Sequence, residues 1–346
     1  MDQPDSLELA EATAAEGTGG TREFLRLKGT NNPIRFAGFL SELKLAVPWG
    51  HIAVKVWGLQ KNPPVLCLHG WLDNANSFDK LIPFLPKDFC YVAMDFGGHG
   101  LSTHYSPGLP YYHHNFVSEV RRVASAFKWT RLSLLGHSFG GAVGGLFACM
   151  FPEMVDKLIL LDSTPLLMDL NEVENIMTYR RKNIERTLKV EDSQKPPGIF
   201  SPEEMLQELL TKNSHLNEDC GELLLQRGTT KVAEGLVLNR DQRLSWPQYS
   251  FDFVGKELTM HSLRRLQASV LIIKALDGYY DVRRENDLNK ESFLLMLDML
   301  RSTLKERFQF VEIPGNHYIH MNKPQIVADI IRSFLQGPPR TTPSRL

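Results

Sequence analysis

The sequence contains little cysteine, and the arrangement of the few cysteines excludes several kinds of site. Cys67, Cys90, Cys149 and Cys220 stand far apart in 346 residues, and none belongs to a C-x-x-C pair. This spacing does not match zinc-binding or redox motifs, and Cys67 and Cys149 lie inside apolar runs. We therefore predict buried thiols in a reducing compartment.

Long hydrophobic runs and an excess of charge of one sign are also missing. No stretch reaches the roughly 18 consecutive apolar residues of a membrane-spanning helix, and the acidic start, MDQPDSLELAEATAAEG, has the features of neither a secretory signal nor an Arg-rich transit peptide. Because 39 basic residues face 40 acidic ones, the net charge is −1. The sequence thus predicts no transmembrane segment and no nucleic-acid partner.

Hydrophobic patterning divides the chain into a core, an insertion and two ends. Residues 1–37 have little apolar periodicity and are expected to form a poorly ordered extension. Short apolar runs alternate with helix-like stretches over 38–163 and again over 262–336, which predicts an α/β core with a mostly parallel central sheet. Residues 164–261 carry amphipathic stretches such as SPEEMLQELLTKN and predict a helical cap. Residues 337–346 form a Pro- and Thr-rich tail that we expect to be flexible.

One stretch, Leu132–Phe147, places a serine between a buried strand and a helix. It reads LSLLGHSFGGAVGGLF, so Ser138 stands in a G-x-S-x-G motif. Such a turn leaves no room for side chains two residues either side of the serine, which accounts for Gly136 and Gly140. The N–H of Phe139 begins the following helix and is predicted to point at the oxygen of a carbonyl that the serine attacks.

Three further segments resemble motifs of the α/β-hydrolase family and occur in the family's order. The apolar run 64–68 ends in HGWLD, the run 90–96 leads into GGHGLS, and PGNHYIH follows at 314–320. With the serine turn these are four motifs in order, and the resemblance that they support covers residues 40–335. The resemblance implies the α/β-hydrolase fold, with helices on both faces of the sheet and a cap over the serine. We interpret the polar residues of the GGHGLS turn as structural.

The resemblance also implies catalytic roles. Ser138 is the expected nucleophile and His317 the expected general base and then acid, whereas His320 matches a second, non-catalytic histidine of the motif. The backbone N–H groups of Trp71 and Phe139 would form the oxyanion hole. The reaction would be a two-step acyl transfer through an acyl-enzyme on Ser138, with no metal or organic cofactor.

Three carboxylates are candidates for the acid that orients His317. The family's usual position for this acid is occupied here by Gly278, with Asp277 one residue before it and Asp281 three residues after it. We predict Asp281 as the acid and keep Asp277 as the alternative. Asp162 is the third choice, since some relatives take the acid from the end of the preceding strand.

Two functions from different classes are compatible with these motifs. The first is a serine hydrolase that cleaves a carboxylic ester or thioester of a small hydrophobic acyl substrate. The second is a catalytically inactive α/β-hydrolase-fold protein that binds a ligand or partner in its pocket, since a fold does not fix a function. A serine at the turn distinguishes the chain from haloalkane dehalogenases and soluble epoxide hydrolases, which attack with an aspartate at this place.

The last three residues, Ser344, Arg345 and Leu346, resemble the S-K-L peroxisomal import signal with Arg in place of Lys. A small residue, a cation and a terminal leucine in an exposed tail are the features that the import receptor reads. We therefore predict a peroxisomal protein that binds this receptor through its C-terminal tripeptide, with the cytoplasm as the alternative location.

Overall fold

The computed structural model describes residues 40–193, 198–245, 251–281 and 290–337. The predicted N-terminal extension, residues 1–37, lies outside the described residues. The predicted targeting tripeptide at 344–346 lies outside them as well. The predictions for these two segments therefore stay predictions.

Eleven strands occur within the described residues. In chain order they are β1 Leu40–Val47, β2 Gly50–Trp57, β3 Pro64–Leu68, β4 Cys90–Met94, β5 Leu132–His137, β6 Val155–Leu161, β7 Ile199–Phe200, β8 Thr229–Val232, β9 Gly235–Leu238, β10 Ser269–Asp277 and β11 Phe308–Asn316. Eight of them form one sheet in the order β1-β2-β4-β3-β5-β6-β10-β11. β1 pairs antiparallel with β2, as does β2 with β4, and all other pairs are parallel. The predicted mostly parallel sheet is confirmed.

The helices of the described residues connect these strands and cover both faces of the sheet. They are α1 His113–Ala126, α2 Phe139–Met150, α3 Glu172–Ser193, α4 Pro202–Lys212, α5 Glu218–Gly228, α6 Lys256–Leu263, α7 Glu291–Leu304, α8 Ile319–Asn322 and α9 Pro324–Gln336. Successive residues of a strand point to opposite faces. On β5, Leu134 packs with Phe116 and Phe147, whereas its neighbour Leu135 belongs to the cluster that contains Ile331. Both faces of β5 are buried, which explains its continuous apolar run.

The predicted cap, residues 164–261, contains helices α3, α4 and α5 and most of α6, but it is not purely helical. β7, β9 and β8 form a small antiparallel sheet within it. All residues of these three strands are exposed or half-buried. They therefore lack the buried apolar runs from which strands were predicted in the core.

A buried ion pair fixes the cap to the core. Nε of Arg227, in α5, lies 2.8 Å from Oδ2 of Asp95 in the turn after β4, and both side chains are buried. Asp95 also accepts the N–H groups of Ala75 and Leu101, each at 2.8 Å. The Asp95 carboxylate thus holds two core loops and one cap helix together, in agreement with a structural role for this turn.

Parallel pairing brings the carboxyl ends of five strands to one edge of the sheet. Trp71 follows β3, Ser138 follows β5, Asp162 follows β6, Gly278 follows β10 and His317 follows β11. Ligands of open α/β sheets bind at this edge. The residues predicted from separate motifs are therefore gathered in one region.

Candidate active site

Ser138 occupies a sharp turn between β5 and α2. Its φ of 50° and ψ of −122° lie outside the allowed regions common to L-residues. The flanking glycines are required by space, because a Cβ on Gly136 would lie 2.5 Å from Cα of Gly141, and a Cβ on Gly140 would lie 2.1 Å from O of Leu68. The predicted turn is therefore present, and it brings Ser138 to the wall of a cavity.

The two predicted oxyanion donors follow β3 and β5, which are neighbouring strands of the sheet. The N–H of Phe139 is the first of α2, and the first N–H groups of a helix have no carbonyl partner within the helix. Trp71 lines the same cavity as Ser138, and its indole N–H donates to O of Leu244 at 3.0 Å. The Trp71 and Phe139 rings pack edge to face at 4.9 Å between centroids. The oxyanion role of both backbone N–H groups stays a prediction.

His317 begins the loop after β11, and its side chain is held by a carboxylate. Its Nδ1 lies 2.5 Å from Oδ2 of Asp162, and the side chain of Asp162 is fully buried. A carboxylate only accepts, so Nδ1 carries the proton and donates it in this bond. His137, the residue before the serine, contacts the backbone of the same loop through Nε2, which lies 2.9 Å from O of His317.

Asp162 is the third of the three predicted candidates, and its contact with His317 corrects the order in which they were ranked. Asp277, at the end of β10, is exposed, and Asp281 lines the cavity. A Cβ on Gly278 would lie 2.2 Å from Oδ2 of Asp162. The carboxylate of Asp162 therefore takes up the space next to the position at which the family usually carries its acid, and only glycine fits there.

Asp162 accepts four hydrogen bonds at its two oxygens. Besides His317, the donors are the backbone N–H groups of Ala275 at 3.1 Å and Tyr279 at 3.2 Å, and Nζ of Lys274. Burial raises the pKa of Asp162, but the hydrogen bonds and charges of His317 and Lys274 outweigh this effect, so that its pKa lies below the ordinary value. The group is therefore ionised at neutral pH.

Lys274 is a site residue that the sequence motifs did not reveal. Its side chain is 1% exposed on β10, and Nζ contacts Oδ1 of Asp162 and O of Ala275. Nζ also lies 4.3 Å from the ring centroid of Tyr280. A lysine within the apolar run ASVLIIKA was the available signal, because a buried ammonium needs a partner.

The second histidine of the loop has a different environment from His317. His320 is fully buried, and its Nε2 lies 2.8 Å from Oγ of Ser77. Burial, followed by the charges of His137 and His317, holds the pKa of His320 well below its usual value. These contacts agree with the prediction that His320 is not the catalytic histidine of the motif.

The cavity beside Ser138 has a volume of about 930 Å³ and is enclosed by both core and cap. His317 and Trp71 line it from the core, and apolar side chains line it from the cap. These apolar cap residues include Leu166, Met205, Leu209 and Phe251. Within the described part of the chain, no group of three or more His, Cys, Asp or Glu side chains is placed to hold a metal ion. Over the same residues, no helix is long and apolar enough to cross a membrane.

Comparison with known proteins places the chain among close and distant relatives. Serine hydrolase-like protein of Mus musculus is 74% identical over 310 residues, which cover 89% of this chain and 100% of the mouse protein. Serine hydrolase-like protein 2 of Homo sapiens is 67% identical over 299 residues, which cover 86% of this chain and 95% of that protein. The crystal structure of a hypothetical protein from Pseudomonas aeruginosa matches with a TM-score of 0.74 at 28% identity, covering 85% of this chain and 99% of its own.

A family model described as the alpha/beta hydrolase fold matches residues 63–324, which is more than half of the chain. The match includes the serine turn, Asp162 and the histidine loop. It agrees with the parallel sheet and with the motifs from which the resemblance was first drawn. The chain therefore belongs to the α/β-hydrolase family.

Proposed function

We propose that the protein is a serine hydrolase that cleaves a carboxylic ester or thioester with Ser138, His317 and Asp162 as its catalytic triad. The observation that carries this proposal is the 2.5 Å contact between Nδ1 of His317 and Oδ2 of Asp162, made beside Ser138 in one cavity. A serine hydroxyl is a weak nucleophile at neutral pH and needs a positioned base, which in turn needs an orienting group.

In the proposed first step, Oγ of Ser138 bonds to the acyl carbon while Nε2 of His317 takes the hydroxyl proton. The N–H groups of Trp71 and Phe139 stabilise the negative oxygen of the tetrahedral intermediate. The bond to the alcohol or thiol then breaks, and the leaving group takes the proton from His317. A water molecule attacks the acyl-enzyme by the same route, which releases a carboxylic acid and restores the hydroxyl of Ser138.

Asp162 has two tasks in this scheme. It keeps the proton of His317 on Nδ1, which leaves Nε2 free to accept from Ser138. It also stabilises the imidazolium that forms in each step, because its lowered pKa keeps it negative throughout. Asp281, predicted first from the sequence, has no role in this scheme.

The acyl part of the substrate is proposed to be apolar. The cap contributes several apolar side chains to the cavity wall, and burial of an acyl chain against them removes apolar surface from water. A volume of about 930 Å³ exceeds that needed for a short ester alone. The cavity therefore has room for a longer acyl chain or for a large alcohol or thiol.

A fluorophosphonate probe tests the proposed nucleophile directly. We expect the wild-type protein to be labelled and Ser138→Ala to remain unlabelled. Ser245→Ala is a matched control, because Ser245 lines the same cavity and its hydroxyl donates to O of Gln242. Labelling of the control must equal that of the wild type. Folded wild-type protein that stays unlabelled would contradict the proposal and favour a ligand-binding protein without catalysis.

We further propose that Ser344, Arg345 and Leu346 direct the protein to the peroxisome through the import receptor. A fluorescent protein fused to the N-terminus of the chain tests this location in cells. We expect the fusion to coincide with a peroxisomal marker and to become diffuse when the three residues are deleted. A diffuse cytoplasmic signal from the complete fusion would contradict the proposal.

A further inference from the structure

An arginine of the cap lines the cavity that contains Ser138. Arg240 lies between β9 and the short 3-10 helix Gln242–Leu244, and it is half-buried. It shares the cavity wall with apolar cap residues and with a few charged ones, among them Glu208 and Lys212. A partly buried cation is stabilised when an anion lies close to it. The proposed triad does not use it.

The backbone on both sides of Arg240 is anchored. The N–H of Asn239 donates to O of Gly228 at 2.8 Å, and the N–H of Asp241 donates to O of Gly98 at 2.9 Å. The side-chain amide of Asn239 donates to O of Arg227 at 3.0 Å. Arg240 therefore projects from a segment whose position is fixed by contacts with the core and with α5.

The carboxylates nearest to Arg240 along the chain and across the cap are engaged with other groups. Asp241 accepts hydrogen bonds from Arg243 and from the hydroxyl of Tyr111. Glu208, on α4, pairs with Lys212 one turn further along the helix. Within the described part of the chain, no hydrogen bond or ion pair joins a carboxylate to the Arg240 guanidinium.

The electrostatic environment of Arg240 also favours the binding of an anion. Burial lowers the pKa of the Arg240 guanidinium, and the charge of Glu208 offsets only part of this effect. An arginine stays protonated even so. The cavity thus holds a partly desolvated cation that no carboxylate of the described residues neutralises at contact distance.

We infer that Arg240 binds an anionic group of the substrate, so that the hydrolase acts on esters or thioesters that carry a carboxylate or a phosphate. This inference rests on the proposed function and names its substrate class. A guanidinium donates two parallel hydrogen bonds to either group, which suits it to orient a long substrate in the cavity. The anion has two possible sources: the far end of the acyl chain, or the alcohol or thiol.

Two matched pairs of substrates distinguish these sources. In the first pair, mono-4-nitrophenyl glutarate differs from 4-nitrophenyl valerate by a terminal carboxylate in place of a methyl group. In the second pair, the valeryl thioester of 4′-phosphopantetheine differs from that of pantetheine by one phosphate. The quantity compared is the ratio of kcat/KM for the charged substrate to kcat/KM for the neutral one.

We expect wild-type protein to prefer the charged member of one pair, and Arg240→Gln to lower that ratio about 10- to 100-fold, the range for a charge-assisted hydrogen bond. A wild-type midpoint of thermal unfolding shows that the variant is folded, and taking the ratio cancels any change that affects both substrates equally. Arg240→Lys keeps the charge but not the paired donors, so it should recover part of the preference. The matched control is Arg181→Gln, which removes the same charge from an exposed cap position that pairs with Glu185.

The outcomes separate this inference from the proposed function. Turnover of the neutral substrates, with no preference for either charged one in the wild type, overturns the inference alone. The same holds for a preference that survives in Arg240→Gln, or that falls equally in Arg181→Gln. If Arg240→Gln does not fold, the wild-type ratios and Arg240→Lys still decide the question. An absence of both turnover and fluorophosphonate labelling overturns the proposed function and this inference with it.

Discussion

The carboxylate of Asp162 fills the space that a side chain at position 278 would need. Oδ2 of Asp162 would lie 2.2 Å from a Cβ on Gly278, although Gly278 itself has a φ that any residue adopts. The glycine is therefore required by the neighbouring carboxylate and not by its own backbone. Because β6 and β10 are paired, Asp162 and Gly278, which follow them, lie close together. Only one of these two positions can have a side chain beside His317, and in this protein it is Asp162.

We predict that Asp162→Asn lowers kcat by about 10³- to 10⁴-fold, the loss expected when the orienting acid of a serine triad becomes neutral. Asp281→Asn and Asp277→Asn should keep kcat close to the wild-type value. Steady-state hydrolysis of a 4-nitrophenyl ester measures all three variants. A large loss in Asp281→Asn with little change in Asp162→Asn would contradict the assignment.

A methyl group at position 278 should displace the Asp162 carboxylate. We expect Gly278→Ala to lower kcat by about 10²-fold, because small misplacements of catalytic groups have effects of this size. Gly255→Ala is the matched control, since a Cβ there meets no atom closer than 3.4 Å. Its kcat should equal that of the wild type. Unchanged kcat in Gly278→Ala would show that Asp162 is not positioned by this close approach.

Lys274 should determine how the protein responds to acid. The folded-state pKa of Asp162 lies below its ordinary value of 3.8. The stability that this group contributes is therefore present at higher pH and is lost as the pH falls through the folded-state pKa. Lys274→Met removes one of the charges that hold the pKa down, so the acid-dependent loss should be smaller and should end at a higher pH.

Urea unfolding between pH 2 and pH 5 measures this change, because the loss occurs below the ordinary pKa of 3.8. Lys157→Met is the matched control, because Lys157 is also a buried lysine of a strand. It lies near the start of β6, whereas Asp162 follows the end of that strand. Its Nζ donates to O of Leu335 and O of Gly337. Both variants should be less stable than the wild type. Only Lys274→Met should shift the acid limb of the stability curve, and a parallel shift in the control would contradict the prediction.

Glu119 should produce a pH dependence of opposite sign. It is fully buried on α1 and accepts hydrogen bonds from the N–H of Gly97 and the hydroxyl of Tyr105. Burial raises its pKa from 4.5 to about 7, more than these hydrogen bonds lower it. The folded protein then retains a proton that the unfolded chain has lost. The free energy of unfolding should therefore fall as the pH rises between these two values and be independent of this group above them.

Glu119→Gln cannot ionise and should not show this decline. The difference in free energy of unfolding between variant and wild type should change by about 3 kcal/mol across the interval. Glu153→Gln, at an exposed position, is the control and should follow the wild-type curve. A difference that does not vary with pH in Glu119→Gln would show that Glu119 titrates at its ordinary pKa.

The parts of the site that were predictable from the sequence are encoded locally. The turn at Ser138 needs small residues at fixed offsets, and the loop that carries His317 follows one strand directly. The choice of Asp162 depends instead on which of two paired strands delivers its carboxylate to His317. Tertiary packing determines which aspartate contacts His317. The glycine at position 278 is the local sign of it, because the Asp162 carboxylate leaves no room for a side chain there.

Lys274 and the cap show the same division between local and tertiary information. The buried lysine is explained only by the carboxylate that a different strand brings to it. The strands of the cap sheet are too short and too exposed to produce an apolar run, so they carry no period from which they could be recognised. Core strands, buried on both faces, were recognisable without any tertiary knowledge.

The hydrogen bond from Nε2 of His137 to O of His317 has a consequence for motion. His137 is bonded covalently to Ser138, so this residue joins the strand that leads to the proposed nucleophile and the loop that carries the proposed base, and its ring also packs against that of His317 at 4.6 Å between centroids. A thermal displacement of either one is transmitted to the other. This hydrogen bond should therefore limit changes in the separation between the two reacting side chains when the surrounding loops fluctuate.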